Sequence, residues 1–211
     1  MPKKFTPKII LEGTSLAFDG ELAQAVNNSP EITGPAEQCY QRPLVSGMWC
    51  AFTNFPWGRG LVNFAPQEEA LAMETYHVWA RLFELERFYS WVVDRFHLST
   101  QTFQLQAYGK EMDFTWLEQR LVPLGFRLVL VTRSEESARQ QLARAQAQNS
   151  ADPTIPESVT QVMVDQMVME RLYLKSSLLK LKVDYSDGDT SRVVGEIAGW
   201  LKQTGGLHME G

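Results

Sequence analysis

Two stretches of this sequence combine ligand-binding residue types with a position that would present them. One is Gly13-Thr14-Ser15, with Asp19 and Gly20 just beyond, directly after the apolar run Lys8-Ile9-Ile10-Leu11 and its closing Glu12. The other is Asp94-Arg95, directly after Tyr89-Ser90-Trp91-Val92-Val93, with His97 and Ser99 following. A glycine at a strand end permits a tight turn and close backbone approach to a ligand. The adjacent carboxylate and guanidinium could serve a charged ligand, or could cap or brace their own loop. Other chemistries find no pattern. His77, His97 and His208 are dispersed, and no His/Asp/Glu group has metal-ligand spacing, so no metal site is expected. No Gly-x-Ser-x-Gly elbow occurs. Cys39 and Cys50 lie outside any Cys-x-x-Cys arrangement and read as reduced thiols.

The elements that must carry these residues follow from the apolar pattern. The chain has 211 residues, 44% hydrophobic and 21% charged, which suits one folded domain over 1–211. Net charge is -5, so there is no basic surplus and no specific nucleic-acid binding is expected. No stretch approaches 18 apolar residues, so neither a membrane span nor a membrane partner is expected, and the expected location is cytoplasmic. Strands are predicted at Lys8–Leu11, Met48–Phe52, Tyr89–Val93, Phe126–Val131 and Leu179–Val183. Helices are predicted at Gly20–Val26, 67–87, from about Ser99, Phe114–Leu124, from Ser134, from Pro156 to about Ser177, and Thr190–Lys202. Residues 28–45 read as a loop. In the helix over 67–87, Ala70, Met73, Tyr76, Ala80 and Phe83 recur at helical spacing. Alternation of strand and helix predicts an α/β fold: a mostly parallel five-stranded sheet with helices on both faces, in three layers. Ligands in such sheets sit at the carboxyl ends of the strands, which singles out residues 12–20 and 94–99.

Those two segments, on this framework, resemble the thymidylate-kinase and deoxynucleoside-kinase group of P-loop proteins. Lys8-Ile-Ile-Leu-Glu-Gly13 is similar to the group's first strand. Val92-Val-Asp94-Arg95-Phe-His-Leu-Ser99-Thr100-Gln-Thr-Phe103-Gln104 is similar to its Asp-Arg-aromatic segment. Leu117 to Arg139, and Val183 to Asp189 with the helix after it, resemble the later elements. The resemblance spans nearly the whole chain, least in residues 28–66. It implies a nucleotide-kinase-like P-loop fold with a lid-like helical segment at about 134–177. It implies that Arg95 contacts a phosphate while Asp94 orients it or a metal-bound water. Arginine suits that role because its planar fork donates paired hydrogen bonds. It places Arg133, Arg139 and Arg144 on the approach to a lid, although an arginine on an exposed helix is otherwise a solvated face. Asn54 to Gly60 is loosely similar to an acceptor-site turn. Phe55, Trp57 and Arg59, with His97, are its acceptor candidates, and the two aromatic rings would otherwise tuck into the core.

The phosphate loop departs from the group. A working loop reads Gly-x-x-x-x-Gly-Lys-Ser/Thr, cradling phosphates with backbone N–H groups, a lysine and a metal-binding hydroxyl. Here Gly13 is followed by Thr14-Ser15-Leu16-Ala17-Phe18-Asp19-Gly20, with Phe18 for the second glycine, Asp19 for the lysine and Gly20 for the hydroxyl residue. A carboxylate facing a polyphosphate exchanges attraction for repulsion worth roughly 4 kcal/mol per unit charge at ~4 Å in a medium of intermediate dielectric. Asp19 reads instead as a cap for the helix that follows.

Two functions compete. In the first, the chain is a pseudokinase that has lost ordinary ATP binding. It keeps the fold to bind a small phosphorylated ligand, a nucleotide or a partner. In the second, it is an active phosphotransferase moving a phosphoryl group from a nucleoside triphosphate to a nucleoside, nucleotide or similar small acceptor. MgATP belongs only to that second reading. Met163, Met167 and Met169, with Val164 and Val168, form a face read as core or contact surface, and a homodimer through it or another apolar helix is a further expectation.

Overall fold

The computed structural model describes residues 7–18, 20–33, 45–46, 60–148 and 155–207. Five strands form one parallel sheet: β1 (Lys8–Glu12), β2 (Val45–Ser46), β3 (Trp91–Asp94), β4 (Phe126–Thr132) and β5 (Leu179–Asp184). Their order is β2-β3-β1-β4-β5, and every neighbouring pair is parallel. Parallel pairing requires a crossover after each strand. The crossovers carry α1 (Gly20–Asn28), α2 (Pro30–Thr33), α3 (Glu69–Leu85), α4 (His97–Tyr108), α5 (Thr115–Leu121), α6 (Glu135–Gln148) and α7 (Val159–Lys175). After β5 comes α8 (Thr190–Gln203).

The three central strands are buried on both faces because alternate residues feed two separate cores. Ile10, Val93, Leu128 and Leu130 join the core that also holds Tyr76 and Phe83 of α3 and Leu117 of α5. Ile9, Leu11, Val92, Val129 and Val131 join the other, with Leu22 and Val26 of α1 and Ile197 of α8. Phe18 belongs to this second core and is 2% exposed. In α3 the buried residues are Ala72, Tyr76, Ala80 and Phe83. Ala72 takes the inward place predicted for Ala70, which is exposed.

The predicted strand Met48–Phe52 lies outside the described residues, and the second strand is Val45–Ser46, on the edge beside β3. The helix predicted from Pro156 starts at Val159. Ser158 fixes that start, because its hydroxyl accepts from the Gln161 N–H, which has no partner within the helix. Asp189 does the same for α8 through the Arg192 N–H at 3.0 Å. The helix predicted from Ser99 begins two residues earlier, at His97. The predicted Met-rich face of α7 divides: Val168 and Met169 are buried, whereas Val164 and Met167 are exposed. Among the described residues, no helix is long and apolar enough to cross a membrane.

Candidate functional site

Register brings the two segments together. β1 and β3 are adjacent, with Leu11 opposite Asp94, so Gly13 and Arg95 leave neighbouring strand ends. The Arg95 N–H donates to the Leu11 carbonyl at 2.8 Å. Arg95 has φ 55°, a left-handed conformation uncommon for a residue with a long side chain. The turn sends its guanidinium across to the loop that follows β1. There Nη2 donates to the carbonyls of Phe18 (2.8 Å) and Thr14 (3.2 Å), and Nε reaches that of Gly13 (3.4 Å). Nη1 lies 3.4 Å from Asp94 Oδ1. The guanidinium carbon sits 4.5 Å from the centre of the Phe18 ring, within cation–π range. Arg95 is 9% exposed and Asp94 7%.

A second arginine reaches the same loop from the end of β4. Arg133 Nε donates to the Ala17 carbonyl at 2.8 Å and Nη1 to Ser137 Oγ at 3.0 Å, with the guanidinium 4.4 Å from the Tyr185 ring centre. Four carbonyls of residues 13–18 therefore accept from guanidinium groups. The loop also closes on itself through the Ala17 N–H to the Thr14 carbonyl, at 2.9 Å. A side chain at Gly13 would meet Ala17 Cβ at 2.9 Å, the Val131 carbonyl at 2.9 Å and Phe18 Cε1 at 3.0 Å. Gly13 is thus small because Phe18 and Val131 pack against it.

The other strand end carries an anion. Glu12, fully buried, accepts from the N–H groups of Leu98 (2.9 Å) and Ser99 (3.2 Å) and from the Ser99 hydroxyl. Its carboxylate thereby satisfies first-turn donors of α4 and faces the positive end of that helix. Burial still pushes its pKa up, against the hydrogen bonds and the nearby His97. His97, 1% exposed, lies with Nδ1 3.9 Å from Glu12 and Nε2 3.1 Å from Glu118. Glu118 also accepts from Ser176 Oγ, Ser177 Oγ and the Ser177 N–H at 2.6–2.7 Å. Burial works against the Glu118 carboxylate, but the bonds from His97, Ser176 and Ser177 outweigh it and hold its pKa down to about 2.

Of the residues singled out in the sequence, Gly13, Thr14, Asp94, Arg95 and Arg133 converge at the ends of β1, β3 and β4. Ser15 is exposed on the loop's outer turn, and Gly20 opens α1 with free space around it. Arg139 is exposed and paired with Glu135 at 2.7 Å. Arg144 is exposed and makes no hydrogen bond or ion pair among the described residues. His97 lies between Glu12 and Glu118 and lines a cleft of about 310 Å³ with Gln101, Glu111 and Arg171. Asp19, Phe55, Trp57 and Arg59 lie outside the described residues. A cleft of about 500 Å³ opens beside Arg133, lined by Thr132, Ser134, Lys182, Asp184 and Arg192. Two of its cations face acids: Arg192 bonds Asp187 and Glu196, and Lys182 lies 3.6 Å from Glu170.

Solved structures share this arrangement of strands and helices over nearly the full chain. The YorR protein of Bacillus subtilis, solved in complex with phosphorylated GDP, matches with a TM-score of 0.60 at 13% identity, covering 96% of this chain and 99% of that one. Thymidylate kinase of Candida albicans matches with a TM-score of 0.55 at 11% identity, covering 97% and 95%. The fold is that of thymidylate kinase. No family model matches the chain, and no curated protein matches its sequence.

On this thymidylate-kinase fold, sequence reasoning missed the roles of four residues. Glu118 joins the α7–β5 turn to His97. Tyr76 Oη and Thr100 Oγ1 meet at 2.7 Å, and Thr100 also donates to the Leu61 carbonyl. Glu12 was visible only as the end of a strand. The signal it offered was a carboxylate closing an otherwise apolar strand, which must find buried partners.

Proposed function

We propose that this chain is a pseudokinase: a thymidylate-kinase-like fold that has lost ordinary ATP binding and serves as an anion-binding, nucleotide-binding or interaction module. One observation carries the reading. The loop that would cradle phosphates turns four carbonyl oxygens toward Arg95 and Arg133, and its interior is filled by the Phe18 ring. Carbonyl oxygens repel phosphate oxygens, and a phosphate cradle needs converging N–H donors. Gly20 supplies no hydroxyl for a metal. These residues do not fit a magnesium-bound triphosphate held in the usual manner. Titration of MgATP into the protein by calorimetry is expected to give no saturable heat. Tight MgATP binding that survives Arg95→Ala and needs residues 13–20 would overturn the reading.

A second reading, an active phosphotransferase, is favoured by Asp94 and Arg95 standing together at the end of β3 beside the loop. Its signature would be phosphoryl transfer from MgATP to a nucleoside or nucleotide, lost in both Asp94→Asn and Arg95→Ala.

For self-association, α3 offers better support than the methionine face. Leu71, Val78 and Leu85 are more than half exposed and recur every seven residues along one stripe. Two copies crossing antiparallel at Val78 would set Leu71 against Leu85 of the second copy and bring Glu74 near Arg81. Sedimentation should then report a dimer for the parent chain and a monomer for Val78→Glu.

A further inference from the structure

The loop after β1 has inverted polarity rather than simply lost its function. A phosphate cradle presents donors around a vacant centre; this loop presents acceptors around a cation. The Arg95 guanidinium is recognised on three sides by different chemistry. Carbonyls of Gly13, Thr14 and Phe18 take one edge, the Asp94 carboxylate lies at another, and the Phe18 ring covers a face at 4.5 Å. A planar cation with several coplanar N–H groups fits that set, whereas an ammonium cannot reach all of it from one point.

We propose that residues 13–18, with Asp94, form a guanidinium-binding site whose resident ligand is the chain's own Arg95. This rests on the reading that the loop does not take phosphate. The site has a consequence for any anion that reaches the strand ends. Arg95 can donate to the loop carbonyls or to an incoming phosphate, because the same Nη2 and Nε protons serve both. Anion capture by Arg95 therefore unlocks the loop, and loop order and anion binding compete.

Chemical rescue tests this. Arg95→Ala empties the site while leaving its walls in place. Millimolar guanidinium chloride or methylguanidinium should raise the melting temperature of Arg95→Ala and slow hydrogen exchange of residues 13–18 in that variant alone. Sodium chloride at equal ionic strength should do neither, and tetramethylguanidinium, which has lost most of its donors, should also fail. In the parent chain, guanidinium should have no such effect. If Arg95→Ala does not fold unaided, its refolding yield with and without guanidinium gives the same readout, and Arg95→Lys supplies a folded comparison. Rescue by sodium chloride or tetramethylguanidinium as well as by guanidinium, or equal responses in parent and variant, would overturn the proposal. So would no rescue at all. This outcome is separable from the MgATP titration: a parent chain that binds no MgATP and a variant without rescue would leave the pseudokinase reading standing and the guanidinium site refuted.

Discussion

The ends of β1 and β3 are mirror cases. β1 ends in Glu12, whose carboxylate crosses to the helix after β3. β3 is followed at once by Arg95, whose guanidinium crosses to the loop after β1. Each strand thus supplies the charge that the other's following segment requires. A helix start attracts anions, and here Glu12 already satisfies it. A loop of inward carbonyls attracts cations, and here Arg95 already satisfies it. The difference lies in depth. Glu12 is wholly enclosed and Arg95 is at the rim of burial. The anionic plug therefore belongs to the core, while the cationic one can exchange with what arrives from solvent.

Substitution should reveal that asymmetry. Glu12→Ala strands three donors in a dry site and is expected to lose about 3 kcal/mol or more of stability in urea unfolding, at roughly 1–3 kcal/mol for each buried donor left unsatisfied. Glu12→Gln keeps an acceptor and should lose clearly less. A loss near zero for Glu12→Ala would break the comparison outright.

Arg95→Ala should lose less, about 2 kcal/mol, because water can reach the freed carbonyls. Its faster hydrogen exchange should be confined to residues 13–18, whereas that of Glu12→Ala should spread along α4. Matching patterns in the two variants would show that the strand ends do not differ in kind.

Acid titration separates Glu118 from Glu12. Glu118 has its folded pKa depressed to about 2 from 4.5. Its stabilisation is therefore complete above the unfolded value and lost as pH falls from 4.5 toward 2. Parent and Glu118→Gln should differ by about 2 kcal/mol at neutral pH and converge in acid. Glu12, with its pKa raised, carries the opposite sign: acidification protonates it more readily in the fold than out of it. A Glu118→Gln difference that persists at pH 2 would remove the electrostatic account of the His97–Glu118 contact.

The smallest effect should come from Asp189→Ala. It removes one cap remote from both strand ends and costs about 1 kcal/mol, measurable as a small fall in melting temperature with no change in exchange at residues 13–18.

Much of the scaffold was legible because burial writes a pattern. Lys8–Leu11 and Phe126–Val131 read as strands since both faces of a central parallel strand must be apolar. Ser134 and Pro156 marked helix starts to within a few residues. The likeness to the thymidylate-kinase group was legible in the order of the segments, and the fold bears it out. The candidate site was legible only as ingredients. Gly13, Phe18, Asp94 and Arg95 were each conspicuous, but their partnership joins residues 77 to 82 positions apart.

The sequence by itself determined β1, β3, β4 and β5, the longer helices, and the run of Phe18, Asp19 and Gly20 that follows the Gly13 turn. Side-chain type and period suffice for that, because propensity and burial act over a few residues. Only the tertiary structure decided which way the loop's carbonyls point, that Gly13 is small to admit Phe18, and that Glu12 and Arg95 exchange places across neighbouring strands. Those outcomes depend on strand register and on the left-handed turn at Arg95. Both are set by the packing of the whole sheet, and no local pattern encodes either.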